Sequence, residues 1–233
     1  VGLARLARSV SRNDGSAMTR RIAILGAEST GKSTLAQALA AHWQGQGQRV
    51  HLVGEYLREF CDREQRTPHA HEQREIAQTQ SARIEQAPDS DIVIADTTAL
   101  MTAIYSEWVF GDRSLYPMAV QAQALFDVTL ITGLDIAWVP DGLQRDSPQV
   151  REPIDQLLRQ SLEAAGIAYR VVYGQGPQRA AQALLAIEAM AAGDALMHSE
   201  KRLQAQTRPW RCGRCSDADC EHRLFRDLTD KPY

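Results

Sequence analysis

Short unbroken apolar runs alternate along the chain with longer segments whose apolar residues recur every three or four positions. The runs are Ile22-Ala23-Ile24-Leu25, Val50-His51-Leu52-Val53, Asp91–Asp96, Val128–Thr132 and Tyr169–Tyr173. They are too short for helices, and the third is apolar on both faces, as a central strand of a parallel sheet must be. Between them the spacing predicts helices. One carries Leu35, Leu39 and Ala40 and runs to about His42-Trp43; others cover Thr67–Ala87, Ala99–Phe110, Ala119–Leu125, Arg151–Ala165 and Gln178–Met190. Pro68 suits the first turn of the second. Strand and helix in strict alternation predict a three-layer α/β fold with a mainly parallel five-stranded sheet.

The first strand runs into Gly26-Ala27-Glu28-Ser29-Thr30-Gly31-Lys32-Ser33, followed by Thr34. This fits G-x-x-x-x-G-K-[ST], the phosphate-binding P-loop, in its required place between a strand and a helix. Backbone N–H groups of such a turn and of the helix N-terminus point at an anion. Lys32 is expected on the β- and γ-phosphates of ATP, and the Ser33 hydroxyl on Mg²⁺. The fold class is therefore a P-loop NTPase or kinase. The third strand ends in Asp96, placed either to hold Mg²⁺ or take a substrate proton, or to cap the next helix with Thr97-Thr98. Glu55, Tyr56 and Arg58 follow the second strand, where open parallel sheets bind ligands, or form a charged helical turn on the surface. Tyr105 and Trp108 read as core or wall, and His69 and His71 as solvated histidines.

After the fourth strand, Trp138–Arg151 is rich in Pro, Gly and charge and reads as a lid, whose Arg145 and Arg151 could reach transferring phosphates. Trp138 either stacks on a flat ring or plugs the core.

A formal net charge of −3 argues against a general nucleic-acid binder. No apolar run reaches the roughly 18 residues of a membrane span. Residues 1–18 lack the apolar stretch of a signal peptide and are expected to be disordered. Four cysteines make no secreted disulfide framework, so the cytoplasm is the expected compartment. The kinase-like domain is expected over 19–192. The tail, 193–233, carries Cys212, Cys215, Cys220 and His222 as C-x₂-C-x₄-C-x-H, a complete Zn²⁺ ligand set with one tight spacing, or else reduced free thiols.

From Leu25 to about Met190 the chain resembles the ribosylnicotinamide kinase domain of NadR-type proteins. The resemblance rests on Gly26–Thr34 with Glu28, Glu55-Tyr56 with Arg58, Ile76-Ala77 with Gln80, Asp96-Thr97, Phe126–Thr129 and Trp138–Leu143, in that order. It implies transfer of phosphate from ATP, with Mg²⁺, to the 5′-hydroxyl of nicotinamide riboside. It also implies Lys32 and Ser33 on phosphates and metal, Asp96 as base or metal-shell acid, and Trp138 against the nicotinamide ring. Arg151 would be a lid arginine, and Arg179 would lie near the adenine or phosphates. The pattern departs at Gln144-Arg145, where the family usually has arginine directly after Asp-Gly-Leu. Two alternatives stay open: a kinase of another nucleoside or vitamin, and an ATP- or GTP-driven switch.

Overall fold

The structure is a computed structural model that describes residues 19–139 and 148–206. Five strands, β1 (Arg20–Leu25), β2 (Val50–Val53), β3 (Ile92–Asp96), β4 (Val128–Thr132) and β5 (Arg170–Val172), form one sheet in the order β2-β3-β1-β4-β5. Every pairing is parallel. β1 lies between β3 and β4, with Ile24 level with Asp96 on one side and Leu130 on the other. β3 and β4 are buried at every position, which is why both are mostly apolar, broken only by Asp96, Thr129 and Thr132. The helices are α1 (Lys32–Gln44), α2 (Tyr56–Glu64), α3 (Gln73–Glu85), α4 (Ala99–Phe110), α5 (Tyr116–Gln123), α6 (Arg151–Ala164) and α7 (Gly176–Gln206).

Helical spacing accounts for how the layers hold together. Ile154, Leu158 and Leu162 recur every fourth residue of α6, and all three are fully buried in the core cluster that also holds Leu25, Leu100, Ile104 and Ile131. Each such side chain contributes about 1.5–3 kcal/mol by leaving water. α4 ends at Gly111, whose φ of 68° is the left-handed cap that stops a helix.

Three boundaries differ from the sequence expectation. The helix expected from Thr67 begins only at Gln73, after a 3-10 turn over Ala70–Glu72. Glu72 accepts from the His69 N–H at 2.7 Å and pairs with both terminal nitrogens of Arg66, which closes the chain into a turn there. α5 starts at Tyr116 rather than Ala119, with Pro117 in its first turn. α7 continues to Gln206. The chain divides into two units, Val1–Ala186 and Ile187–Tyr233. The first holds the whole sheet; the described part of the second is the remainder of α7. Among the described residues no helix is long and apolar enough to cross a membrane.

Candidate active site

The loop between β1 and α1 is shaped by two residues that only glycine fits easily. Gly26 has φ 146°, and a Cβ there would stand 2.3 Å from Thr132 Oγ1. Gly31 has φ 76° and hands the chain into α1. Between them Thr30 is fully buried; its hydroxyl donates to the Ala27 carbonyl at 2.7 Å and shares a 2.7 Å hydrogen bond with Thr132. Lys32 Nζ donates to the same Ala27 carbonyl at 2.9 Å. The first turn of α1 carries no acid, so no carboxylate of its own helix competes for the N–H groups there.

Arg179, at the start of α7, is 3% exposed. Its guanidinium donates to the Thr30 carbonyl and to Asp135 Oδ1, while Asp135 Oδ2 accepts from the Gly174 N–H at 2.6 Å. The residue expected beside the adenine or phosphates therefore clamps the P-loop backbone to the loops after β4 and β5.

Two acids face the P-loop from the carboxyl ends of neighbouring strands. Asp96, 6% exposed, ends β3, and its Oδ1 is buried without a hydrogen-bond partner. Thr97 follows at φ 76°, a left-handed conformation costly for a branched residue, with its N–H donating to the Ile24 carbonyl at 3.1 Å. Glu55 follows β2 and lies 3.6 Å from the Arg58 guanidinium. Burial pushes the Glu55 carboxyl above the ordinary glutamate range; Lys32 opposes this, Asp96 adds to it, and Arg58 opposes it. Gln80 of α3 holds the two loops together. Its Oε1 accepts from the Tyr56 N–H at 2.8 Å, and its Nε2 donates to the carbonyls of Gly54 (3.2 Å) and Thr97 (3.3 Å).

These residues open on a cavity of about 790 Å³. At one end are the P-loop from Glu28 to Thr34, together with Gly26, Asp96 and Glu55. The rest of the cavity is a slot lined from three sides: by α2 and the turn after it (Leu57, Arg58, Cys61, Thr67 to His69), by Gln80, Ile76 and Gln73 along one face of α3, and by Met101, Tyr105 and Val109, every fourth residue of α4. Arg74 reaches Ser114 at 3.4 Å, so the first turn of α3 lies beside the loop after α4, at the end of the slot away from the sheet. Among the lining residues Glu28, Glu55, Glu59 and Asp96 outnumber Lys32 and Arg58, which tilts the cavity toward cations.

The structure brings most of the expected residues together and sets others apart. Ala27 is fully buried behind the loop it belongs to. Arg58 lines the cavity. Tyr56 does not; it packs with Phe60, Cys61 and Ile76, with the Arg83 guanidinium 4.5 Å over its ring. Trp138 is also absent from the lining. Its Nε1 donates to Glu28 Oε1 at 3.3 Å, and the neighbouring Val139 N–H donates to Ser29 Oγ at 2.9 Å. Arg151 begins α6 and is 7% exposed, and its Nε and Nη2 have no hydrogen-bond partner among the described residues. His69 and His71 are exposed, as expected, and His69 also borders the cavity. Arg145 and the set Cys212, Cys215, Cys220 and His222 lie outside the described residues. Among the described residues no group of three or more His, Cys, Asp and Glu could hold a metal ion. The sequence reading gave no role to Gln73, and marked Gln80 only as part of a helical face and of the resemblance. Their spacing with Ile76, on a helix leading to an acid-bearing strand, was the available signal.

A parallel sheet in this order, with a P-loop after its central strand and an acid ending the next, defines a P-loop protein with the kinase fold. The family described as AAA domain matches residues 21–179, and the chain belongs to it. Among solved structures it is similar to a NadR protein crystallised with NR, with a TM-score of 0.59 and 20% identity. That match covers 74% of this chain but 50% of the NadR chain, and at this identity the likeness is one of fold. A thymidylate kinase from Ehrlichia chaffeensis (TM-score 0.49, 15% identity, 68% of this chain and 88% of that one) also matches. So does a deoxyadenosine kinase from M. mycoides (TM-score 0.46, 14% identity, 78% and 99%). No curated protein matches the chain in sequence.

Proposed function

We propose that this chain is an ATP-dependent kinase that phosphorylates the 5′-hydroxyl of ribosylnicotinamide, giving nicotinamide mononucleotide for NAD salvage. The observation that carries this is one continuous cavity whose lining joins the P-loop, Asp96 and Glu55 to residues of α2, α3 and α4. A switch needs a nucleotide site alone, whereas a kinase needs an acceptor site joined to it.

The residues fit ATP and Mg²⁺. Ser33 and the orphaned, buried Oδ1 of Asp96 offer oxygen ligands to the metal, which neutralises phosphate charge when bound. Lys32 and the N–H groups at the start of α1 hold phosphate oxygens. Glu55 suits the proton-handling role: burial raises its affinity for a proton above that of an ordinary glutamate, which makes its carboxylate a better acceptor for the proton of the acceptor hydroxyl. This divides between two acids the work that sequence alone assigned to Asp96. Arg151, with two buried nitrogens unpartnered among the described residues, supports a lid arginine that meets an anion. The surplus of carboxylates in the cavity supports a cationic acceptor such as a pyridinium riboside. The donor chemistry of Cys212, Cys215, Cys220 and His222 supports a separate zinc site, tested by metal analysis of tag-free protein.

The test is ADP release by the purified chain with a panel of nucleosides and vitamins, with products identified by mass spectrometry. Release dependent on nicotinamide riboside, with the mononucleotide as product, is the expected result. ATP turnover indifferent to any acceptor would overturn the kinase reading.

A further inference from the structure

We infer that Gln73 reads the carboxamide of the acceptor's ring, and that it makes the enzyme prefer an amide to the corresponding carboxylic acid. This rests on the acceptor proposed above and names the residue that selects it. Gln73 is 5% exposed and lines the cavity. Its side-chain amide has no hydrogen-bond partner among the described residues, unlike Gln80 on the same helix face, whose amide is fully used. The Gln73 amide is not among the sealed polar groups that lack partners, so it stays reachable from the cavity, where a bound ligand can supply both a donor and an acceptor.

The position fixes which part of the ligand that is. Gln80 marks the phosphate end, tied to the loops that carry Glu55 and Asp96. Gln73 lies two turns earlier on the same face, roughly 10 Å away at 1.5 Å per residue. That is the reach of a ribose and one six-membered ring, measured outward from a 5′-hydroxyl at the P-loop. Between the two glutamines the walls are Ile76, Met101 and Tyr105, which suit the sugar and the ring faces. At the far end Gln73 offers one N–H and one carbonyl in a plane, the complement of a carboxamide edge. A carboxylate there would leave its oxygens facing the Gln73 carbonyl oxygen.

The test compares kcat/KM for nicotinamide riboside and nicotinic acid riboside in wild type, Gln73→Leu and Gln73→Glu, with KM for ATP as control. We expect wild type to favour the amide by roughly 100-fold or more, since sites built to hydrogen-bond a substrate group reject analogues lacking it. Gln73→Leu should bring the ratio within a few fold of unity by losing the amide substrate, with KM for ATP unchanged. Gln73→Glu, close to isosteric, should reject the acid riboside further while retaining part of the amide activity. It gives the answer if the leucine variant does not fold. Phosphorylation of the amide riboside with an undiminished preference in both variants would overturn the role of Gln73 alone. Failure of wild type to phosphorylate any pyridine riboside would overturn the proposed function and this assignment with it. A preference for adenosine that Gln73→Leu abolishes would overturn the carboxamide in favour of a purine edge.

Discussion

Gln80→Leu removes the one side chain that ties the Glu55 loop to the Asp96 loop. Three groups lose their partner. The Gly54 carbonyl lies on an exposed residue and can turn to water, so its loss costs little. The Tyr56 N–H is different: it opens α2, where no intrahelical acceptor exists, and Tyr56 is buried. The Thr97 carbonyl belongs to a buried residue as well. Two buried orphans at about 1–3 kcal/mol each give roughly 2–6 kcal/mol. The apolar leucine returns part of this through burial. A net loss of about 2–4 kcal/mol should lower Tm by roughly 5–15 °C in a chain of this size. The same change frees both acids from their mutual spacing, and small misplacements in active sites cost about 100-fold in rate. We therefore expect kcat to fall about that far, with KM for ATP held by the untouched P-loop. Calorimetry and steady-state kinetics on one preparation measure both. A variant within 0.5 kcal/mol (about the scatter of neutral surface changes), or one with wild-type kcat, would refute the reasoning.

Three further outcomes are expected. Lys32→Ala should abolish phosphoryl transfer while circular dichroism shows an intact fold, because Lys32 stabilises charge developing on the transferred group; wild-type turnover would remove the P-loop from catalysis. Glu55 has a folded-state pKa raised above its ordinary value of 4.5, so its stabilising contribution is complete below that pH and is lost as pH rises through the raised value. Glu55→Gln should therefore match wild-type Tm near pH 4, exceed it near pH 8 and lose kcat; parallel Tm profiles would contradict this. Trp138→Leu should raise KM for ATP more than KM for the acceptor, since the indole donates to Glu28 of the P-loop; an effect confined to a pyridinium acceptor would place Trp138 on the ring, as the resemblance implies.

The sheet and the P-loop were legible in the sequence because each depends on residues close together in the chain. A strand in a parallel sheet covered on both faces is mostly apolar, and β2 and β4 have the bounds that their runs predict. The glycine, lysine and serine spacing of the loop is set by the anion it holds. What could not be read depends on which side chains find polar partners, near or far in the chain. The start of α3 is decided by Arg66, His69 and Glu72 closing a turn, and side-chain pairing of that kind leaves no periodic mark. Arg179 meets the Thr30 carbonyl 149 positions earlier in the chain, a clamp on the P-loop that no local pattern announces. Gln73 and Gln80 share a helix face and a residue type but differ in function, because only one of them finds backbone partners.

The two halves of the catalytic machinery are rooted at different depths of the sheet. The P-loop with Lys32 follows β1 and Asp96 ends β3, both inner strands. Glu55 hangs on β2, an edge strand that pairs with β3 alone and is only partly buried over Val50–Leu52. Amide protons of the inner strands should exchange only on global opening, whereas those of β2 and α2 exchange through smaller, cheaper openings. The donor half of the reaction is then a permanent fixture of the native state. The acceptor half is the part that temperature, denaturant or an unfilled slot would loosen first.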